Sequence, residues 1–263
     1  MTYRRVAAFI WIVSSLLGCT RAPGGSVSTP IPTNAETPST SSPISPTPSS
    51  TVSQSSLASE PVGFEFPVTV DPAKRYLFYL HGKIIEDQGI PAISPDFGEY
   101  EYQAILEKLS SYGFVVISQQ RSKNTDPIEY AKRVSDQIAV LLNAGVPANH
   151  ITIAGASKGA WITVYISHFL GNDELIYVIM AICHPDILAG FKQEHIFLHG
   201  NVLSIYDSVD EYAGSCQELF SLSEGKGISD YDEIVLHIGT GHGILYKPLD
   251  EWITPLVQWA EKP

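Results

Sequence analysis

From about residue 61 the chain alternates short, unbroken apolar runs with stretches whose apolar residues recur at helical spacing, and few architectures accept that pattern. Tyr76-Leu77-Phe78-Tyr79-Leu80, Phe114-Val115-Val116-Ile117, Ile151-Thr152-Ile153-Ala154 and the runs at 177–182, 202–206 and 234–238 read as strands. Between them, 102–109 carries Ile105, Leu106 and Leu109 on one side. Residues 128–142 carry Val134, Ile138 and Leu141 at three- and four-residue intervals before Gly145 and Pro147 close the helix; 158–170 and 249–261 are also helical. A strand apolar on both faces must be covered on both, so the pattern predicts a three-layer α/β/α sandwich with a mostly parallel sheet. In such sheets ligands meet the carboxyl ends of the strands, which directs attention to the loops that follow them.

The first 60 residues are of another kind. Met1-Thr2-Tyr3-Arg4-Arg5 leads into an apolar stretch over 6–17, then Gly18 and Cys19: a charged start, an apolar middle and small residues, as in a secretory signal. Leu16-Leu17-Gly18-Cys19 resembles the lipobox of bacterial lipoproteins, which implies cleavage after residue 18 and acyl chains on Cys19. The protein is then exported to the cell envelope and lipid-anchored to a bacterial membrane. An ordinary cleaved signal or an N-terminal anchor is the alternative. Acyl chains contribute about 0.8 kcal/mol per buried methylene, so a multiply acylated cysteine holds firmly to a membrane surface. The segment up to residue 60 is mostly Ser, Thr and Pro and can form no core; as a flexible chain it reaches about 35 Å. The expected organisation is a signal peptide at 1–18, a lipidated Cys19 and tether at 19–60, and one folded domain at 61–263.

Charge narrows the function. The chain carries 16 Lys+Arg against 28 Asp+Glu, a formal net charge of −12. Nucleic-acid affinity is largely a cationic electrostatic effect, so nucleic acid is excluded as an expected partner.

The most informative short pattern is Gly155-Ala156-Ser157-Lys158-Gly159, a G-x-S-x-G directly after one strand run and directly before a helix. A serine on so sharp a turn needs glycines on either side to avoid collision, and the next residue's amide points toward the helix start. Ser157 is therefore a candidate nucleophile, the alternative being a plain helix cap. With Leu80-His81-Gly82 early and Gly-x-Ser-Lys-Gly in mid-chain, the domain resembles an α/β-hydrolase, close to small uncharacterised members of that superfamily. The resemblance spans residues 76–255.

It implies a serine hydrolase with a Ser-acid-His triad in that chain order, and no cofactor or metal. After the strand at 202–206 comes Asp207-Ser208-Val209-Asp210-Glu211, and aligning Tyr206-Asp207 with the family's usual His-Gly pair puts Asp210 in the acid position. Asp207 is the second candidate and Glu211 the third. His242, within Gly239-Thr240-Gly241-His242-Gly243 after the last strand, takes the base position, where glycines let the loop fold back toward the serine. His237 falls inside the expected strand, His150 before one and His168 on a helix, while His81, His184, His195 and His199 precede the acid. The resemblance also assigns the oxyanion hole to the backbone N–H groups of Lys83 and Lys158, whose ammonium groups are expected to be solvated. His81 is expected to pack and hydrogen-bond beneath its loop, with Glu86 able to order that loop.

Two further readings concern cysteines and metal. With Cys19 set aside, Cys183 and Cys216 remain, each following a strand, and an even pair in an exported domain suggests a disulfide; two buried thiols are the alternative. His195 and His199 have a four-residue spacing, but the apolar Ile196-Phe197-Leu198 between them argues against a metal site. Only residues 183–201 separate two of the strands, too few for a lid domain. The expected site is thus shallow and suits small or surface-presented esters. A peptidase, a thioesterase or a non-catalytic scaffold on the same fold is the competing reading.

Overall fold

The computed structural model describes residues 64–262. The expectations for residues 1–60, including the signal peptide, Cys19 and the tether, lie outside the described residues.

Six strands form one parallel sheet in the order β4-β1-β5-β6-β7-β8. They are β1 (Tyr76–Leu80), β4 (Val115–Ile117), β5 (Ile151–Ala156), β6 (Ile176–Met180), β7 (Gly200–Asp207) and β8 (Ile228–Leu236). A small antiparallel hairpin, β2 (Ile93–Ser94) with β3 (Gly98–Glu99), stands apart from it. The helices are α1 (Lys83–Gln88), α2 (Tyr102–Ser110), α3 (Pro127–Asn143), α4 (Lys158–Leu170), α5 (Pro185–Glu194), α6 (Gln217–Ser223) and α7 (Asp250–Ala260).

The apolar runs explain the layering. Every residue of β1, β5 and β6 is buried, because helices cover both faces. One face presents Leu77, Tyr79, Ala154, Val178 and Leu203 to a core that includes Ile105, Leu106 and Leu109 of α2 and Trp252, Ile253 and Leu256 of α7. The other face is covered by α4, which packs on α3 and whose residues from Gly159 to Ser167 are all buried. Local signals set the helix ends: Asp126 caps α3 by accepting from Ile128 N at 2.9 Å and Glu129 N at 3.0 Å, with Pro127 at the first position. Such a cap contributes about 1 kcal/mol.

From β1 the chain crosses to β4 on one side and then returns to β5 on the other. The strand order therefore reverses between β1 and β5, and the crevice of an open parallel sheet lies beyond the carboxyl ends at such a reversal. Gly82 follows β1 there and Ser157 follows β5.

Two sequence expectations are revised. The last strand begins at Ile228, not at 234, because its first half is an exposed edge bound to β7 by ladder hydrogen bonds and not by apolar burial. It also ends at Leu236, so His237 lies on the following loop, with Nδ1 3.0 Å from Ser208 Oγ. The β6–β7 connection holds the single ten-residue helix α5.

Candidate active site

Ser157 occupies the turn between β5 and α4 with φ 54° and ψ −116°, a left-handed conformation rare outside glycine. Holding a residue there costs of order 1–3 kcal/mol, and the surrounding packing enforces it. A Cβ on Gly159 would collide with Leu80 O at the end of β1, and one on Gly155 would collide with Gly159 O and Thr163 Oγ1. Both fixed glycines of the motif are thus demanded by close approach of backbone. Ser157 N donates to Met180 O at 2.9 Å, tying the turn to the end of β6. The Ser157 side chain makes no cap to α4, so its hydroxyl remains available.

Asp210 and His242 come from the last two strand ends, after β7 and after β8. His242 Nδ1 lies 2.9 Å from Asp210 Oδ2; the carboxylate is fully buried and the imidazole is 14% exposed. An ionised carboxylate only accepts, so Nδ1 carries the proton and Nε2 is free to accept one. Asp210 Oδ1 also accepts from Tyr212 N at 2.9 Å, which fixes the carboxylate's rotation. Gly241 permits the approach: at φ 54° it runs against the backbone of Val209 and Asp210, where a Cβ would be 3.2 Å from Val209 O.

Asp207 is also buried, but its oxygens are committed elsewhere. Oδ1 accepts from Val209 N at 3.1 Å and Oδ2 from Gly239 N at 2.9 Å, so it links the acid loop to the loop that carries His242. Glu211 is exposed.

Among the described residues, Ser157 Oγ and His242 make no hydrogen bond to each other. They border one aromatic rim. The open side of Gly82 faces both Ser157 Cβ and the ring of Tyr100; Tyr100 packs on Tyr246 with centroids 5.0 Å apart, Tyr246 on Phe97 at 5.2 Å, and Phe97 on His242 at 6.4 Å. Tyr212 meets His242 edge-on at 5.5 Å. Phe97 arrives on the β2–β3 hairpin, so the wall beside His242 comes from the β1–α2 segment. The sequence reading looked for a cover only after β6 and missed it, because a two-residue strand pair carries no periodic signal.

Beneath the rim lies a cluster that the sequence did not announce. Glu86 of α1 has a fully buried carboxylate: Oε1 accepts from Arg121 Nε at 2.5 Å and Oε2 from Lys158 Nζ at 2.5 Å. Lys158 Nζ also donates to Thr125 O at 2.7 Å. The expected solvated Lys158 is thus corrected: its side chain is 8% exposed, and burial holds its pKa below the usual lysine value. Lys83 is more open and pairs with Asp87 one turn along α1. Arg121 Nη2 donates to His81 O, and Arg121 N donates to His81 Nε2 at 2.9 Å. Since a backbone N–H only donates, His81 is neutral at Nε2, and its Nδ1–H donates to Gly82 O at 2.8 Å. Burial, reinforced by the Arg121 charge, pushes the His81 pKa down to about 3, so this histidine is a structural hydrogen-bonding residue.

The structure joins Cys183, after β6, to Cys216, after β7, with Cα atoms 5.2 Å apart. The bond closes the segment that contains Asp207 and Asp210. His195 and His199 do not form a shared site: His195 ends α5 in a left-handed turn, and His199 lies before β7 with Nδ1 3.8 Å from Asp173 Oδ1. No group of three or more potential ligands suited to a metal occurs among the described residues, and none of their helices is long and apolar enough to cross a membrane.

No protein-family model matches the chain, and no curated protein matches it. Among solved structures it is similar to SOBER1 of Arabidopsis thaliana, at 14% identity over 70% of this chain and 100% of that one, with a TM-score of 0.44. It is similar to a phospholipase/carboxylesterase from Dyadobacter fermentans at 18% identity, over 69% and 90% of the two chains, with a TM-score of 0.42. The RedJ thioesterase of Streptomyces coelicolor matches at 11% identity over 74% and 88%, with a TM-score of 0.44. At these identities and scores the likeness carries no argument about chemistry.

Proposed function

We propose that this protein is a serine hydrolase of the α/β-hydrolase type, acting on carboxylic esters through an acyl-enzyme on Ser157. The observation that carries the proposal is the 2.9 Å pair of His242 with buried Asp210, set at the same sheet edge as a serine held in a strained turn. Ser157 Oγ attacks the ester carbonyl carbon while its proton passes to His242 Nε2. The carbonyl electron pair moves to oxygen, where the N–H groups of Lys83 and Lys158 receive it. Both amides sit at the first position of a helix, where no intrahelical acceptor exists for them. Collapse of this intermediate breaks the ester C–O bond, and the alcohol leaves with the proton from His242. Water then repeats the sequence and releases the acid. Asp210 holds the productive tautomer and stabilises the imidazolium. The Ser157–His242 hydrogen bond forms as substrate seats, since such contacts are often loose in unliganded sites.

Small or surface-presented esters suit the site, because the β6–β7 connection supplies only α5. Lipidation at Cys19 places the domain at a bacterial membrane surface on its tether. The test is turnover of p-nitrophenyl acetate and butyrate by the protein and by Ser157→Ala. Hydrolysis that persists at full rate in Ser157→Ala refutes the assignment.

A further inference from the structure

The side-chain cluster of Glu86, Arg121 and Lys158 belongs to no step of the chemistry above, in which Lys158 takes part only through its backbone N–H, yet it touches both turns that carry the proposed oxyanion amides. One turn is His81-Gly82-Lys83 after β1. Arg121 grips it twice, through His81 O and through His81 Nε2, and His81 passes the restraint to Gly82 O through Nδ1. The other is Ser157-Lys158 after β5, whose Lys158 side chain is pulled beneath the turn by Glu86 and Thr125 O. Glu86 is the shared node: one oxygen binds the cation that holds the first turn, and the other binds the residue that forms the second. The β1–β5 ladder ends at Leu80 opposite Gly155, so it sets the two strand ends side by side, and the two interactions, between residues 35 and 72 apart in sequence, act on the turns that lie beyond that last pair. A Cβ added to Gly82 would lie 3.8 Å from Ser157 Cβ, so the residues that precede the two amides are neighbours.

We infer that Glu86, Arg121 and the Lys158 side chain are positioning residues that hold the Lys83 and Lys158 amides in register across the nucleophile, an inference that rests on the hydrolase reading. Isolated charges do not survive burial, whereas a carboxylate shared by two cations does; Arg121 is tied through Nε and Nη2, its buried Nη1 having no hydrogen-bond partner, and both Glu86 oxygens are bonded, so the cluster resists sliding. A displacement of about 1 Å at a reacting centre costs on the order of 10²-fold in rate.

The test compares Glu86→Gln and Lys158→Met with the unaltered protein by steady-state ester hydrolysis. The rate is normalised to the Ser157 that a fluorophosphonate titrates, so that unfolded molecules do not count. The expected result for Glu86→Gln is a kcat per titratable serine lower by roughly 10²-fold with KM within about twofold. Lys158→Met, which keeps its backbone N–H and the Glu86–Arg121 pair, loses about tenfold in kcat. Normalised kcat within twofold of the parent in both variants, with only a lower melting temperature, overturns the inference and leaves hydrolysis by Ser157 intact. Should Glu86→Gln not fold, Lys158→Met decides by the same criterion. If the unaltered protein is not labelled at Ser157, the hydrolase reading falls and takes this inference with it.

Discussion

Two buried aspartates three residues apart offer themselves as the triad acid, and replacing each by asparagine separates them. In Asp210→Asn the new amide still accepts from Tyr212 N, so stability falls by only about 1 kcal/mol. The group facing His242 Nδ1, however, no longer carries the charge that stabilises the imidazolium, and the imidazole is free to adopt the wrong tautomer. In other triads that change lowers kcat by roughly 10⁴, equivalent to about 5.4 kcal/mol at 1.36 kcal/mol per decade. In Asp207→Asn the same substitution meets two backbone donors, Val209 N and Gly239 N, with only one acceptor oxygen. One N–H then faces an NH₂ group, and with a charge-assisted bond worth about 1.5–3 kcal/mol the expected cost is about 2–3 kcal/mol of stability. Its kcat, measured below the melting transition, stays within about tenfold of the parent because His242 keeps its partner. Ester hydrolysis and urea unfolding on both variants give the answer. Near-normal kcat in Asp210→Asn, with a folded but inactive Asp207→Asn, would refute the assignment.

Two further outcomes follow from the same structure. Opening the Cys183–Cys216 bond, by reductant or by a double alanine variant, releases a loop of sequence separation 33, for which chain entropy predicts a loss of about 3.7 kcal/mol, read as a lower urea midpoint. An unchanged midpoint would mean that the bond does not restrain the unfolded chain. His81 makes stability fall with acid: its unfolded form gains a proton below about 6.5 while the folded form resists until about 3. The unfolded state therefore binds one more proton across that window. The contribution is fully present above 6.5, and between 6.5 and 3 it declines by about 1.4 kcal/mol per pH unit. His81→Gln, less stable at pH 7, is expected to show a pH slope shallower by about that amount, and equal slopes would contradict the assignment of His81 as a buried neutral residue.

The sheet was legible because its central strands are apolar on both faces, a pattern that only a covered parallel sheet satisfies. The turn between β5 and α4 was legible for a related reason: Gly155 and Gly159 are marks that close backbone approach leaves on a sequence. Asp210 and Asp207 could not be separated by pattern, because the difference lies in which donors each meets, His242 in one case and Val209 N with Gly239 N in the other. The start of β8 escaped notice because Ser229-Asp230-Tyr231-Asp232 is largely polar and exposed, and its place is set by pairing with β7. Arg121 was invisible for the opposite reason. An arginine is ordinarily exposed, and nothing in the local sequence signals that Glu86, 35 residues earlier, buries it.

The central claim is that Ser157 is an activated nucleophile, and covalent capture tests it most directly. Incubation with a fluorophosphonate followed by peptide mapping by mass spectrometry is expected to place one phosphonyl adduct on Ser157. The Ser157→Ala variant should take up none, and His242→Ala should react far more slowly. An unlabelled protein, or an adduct carried on another residue with Ser157 unmodified, would contradict the account.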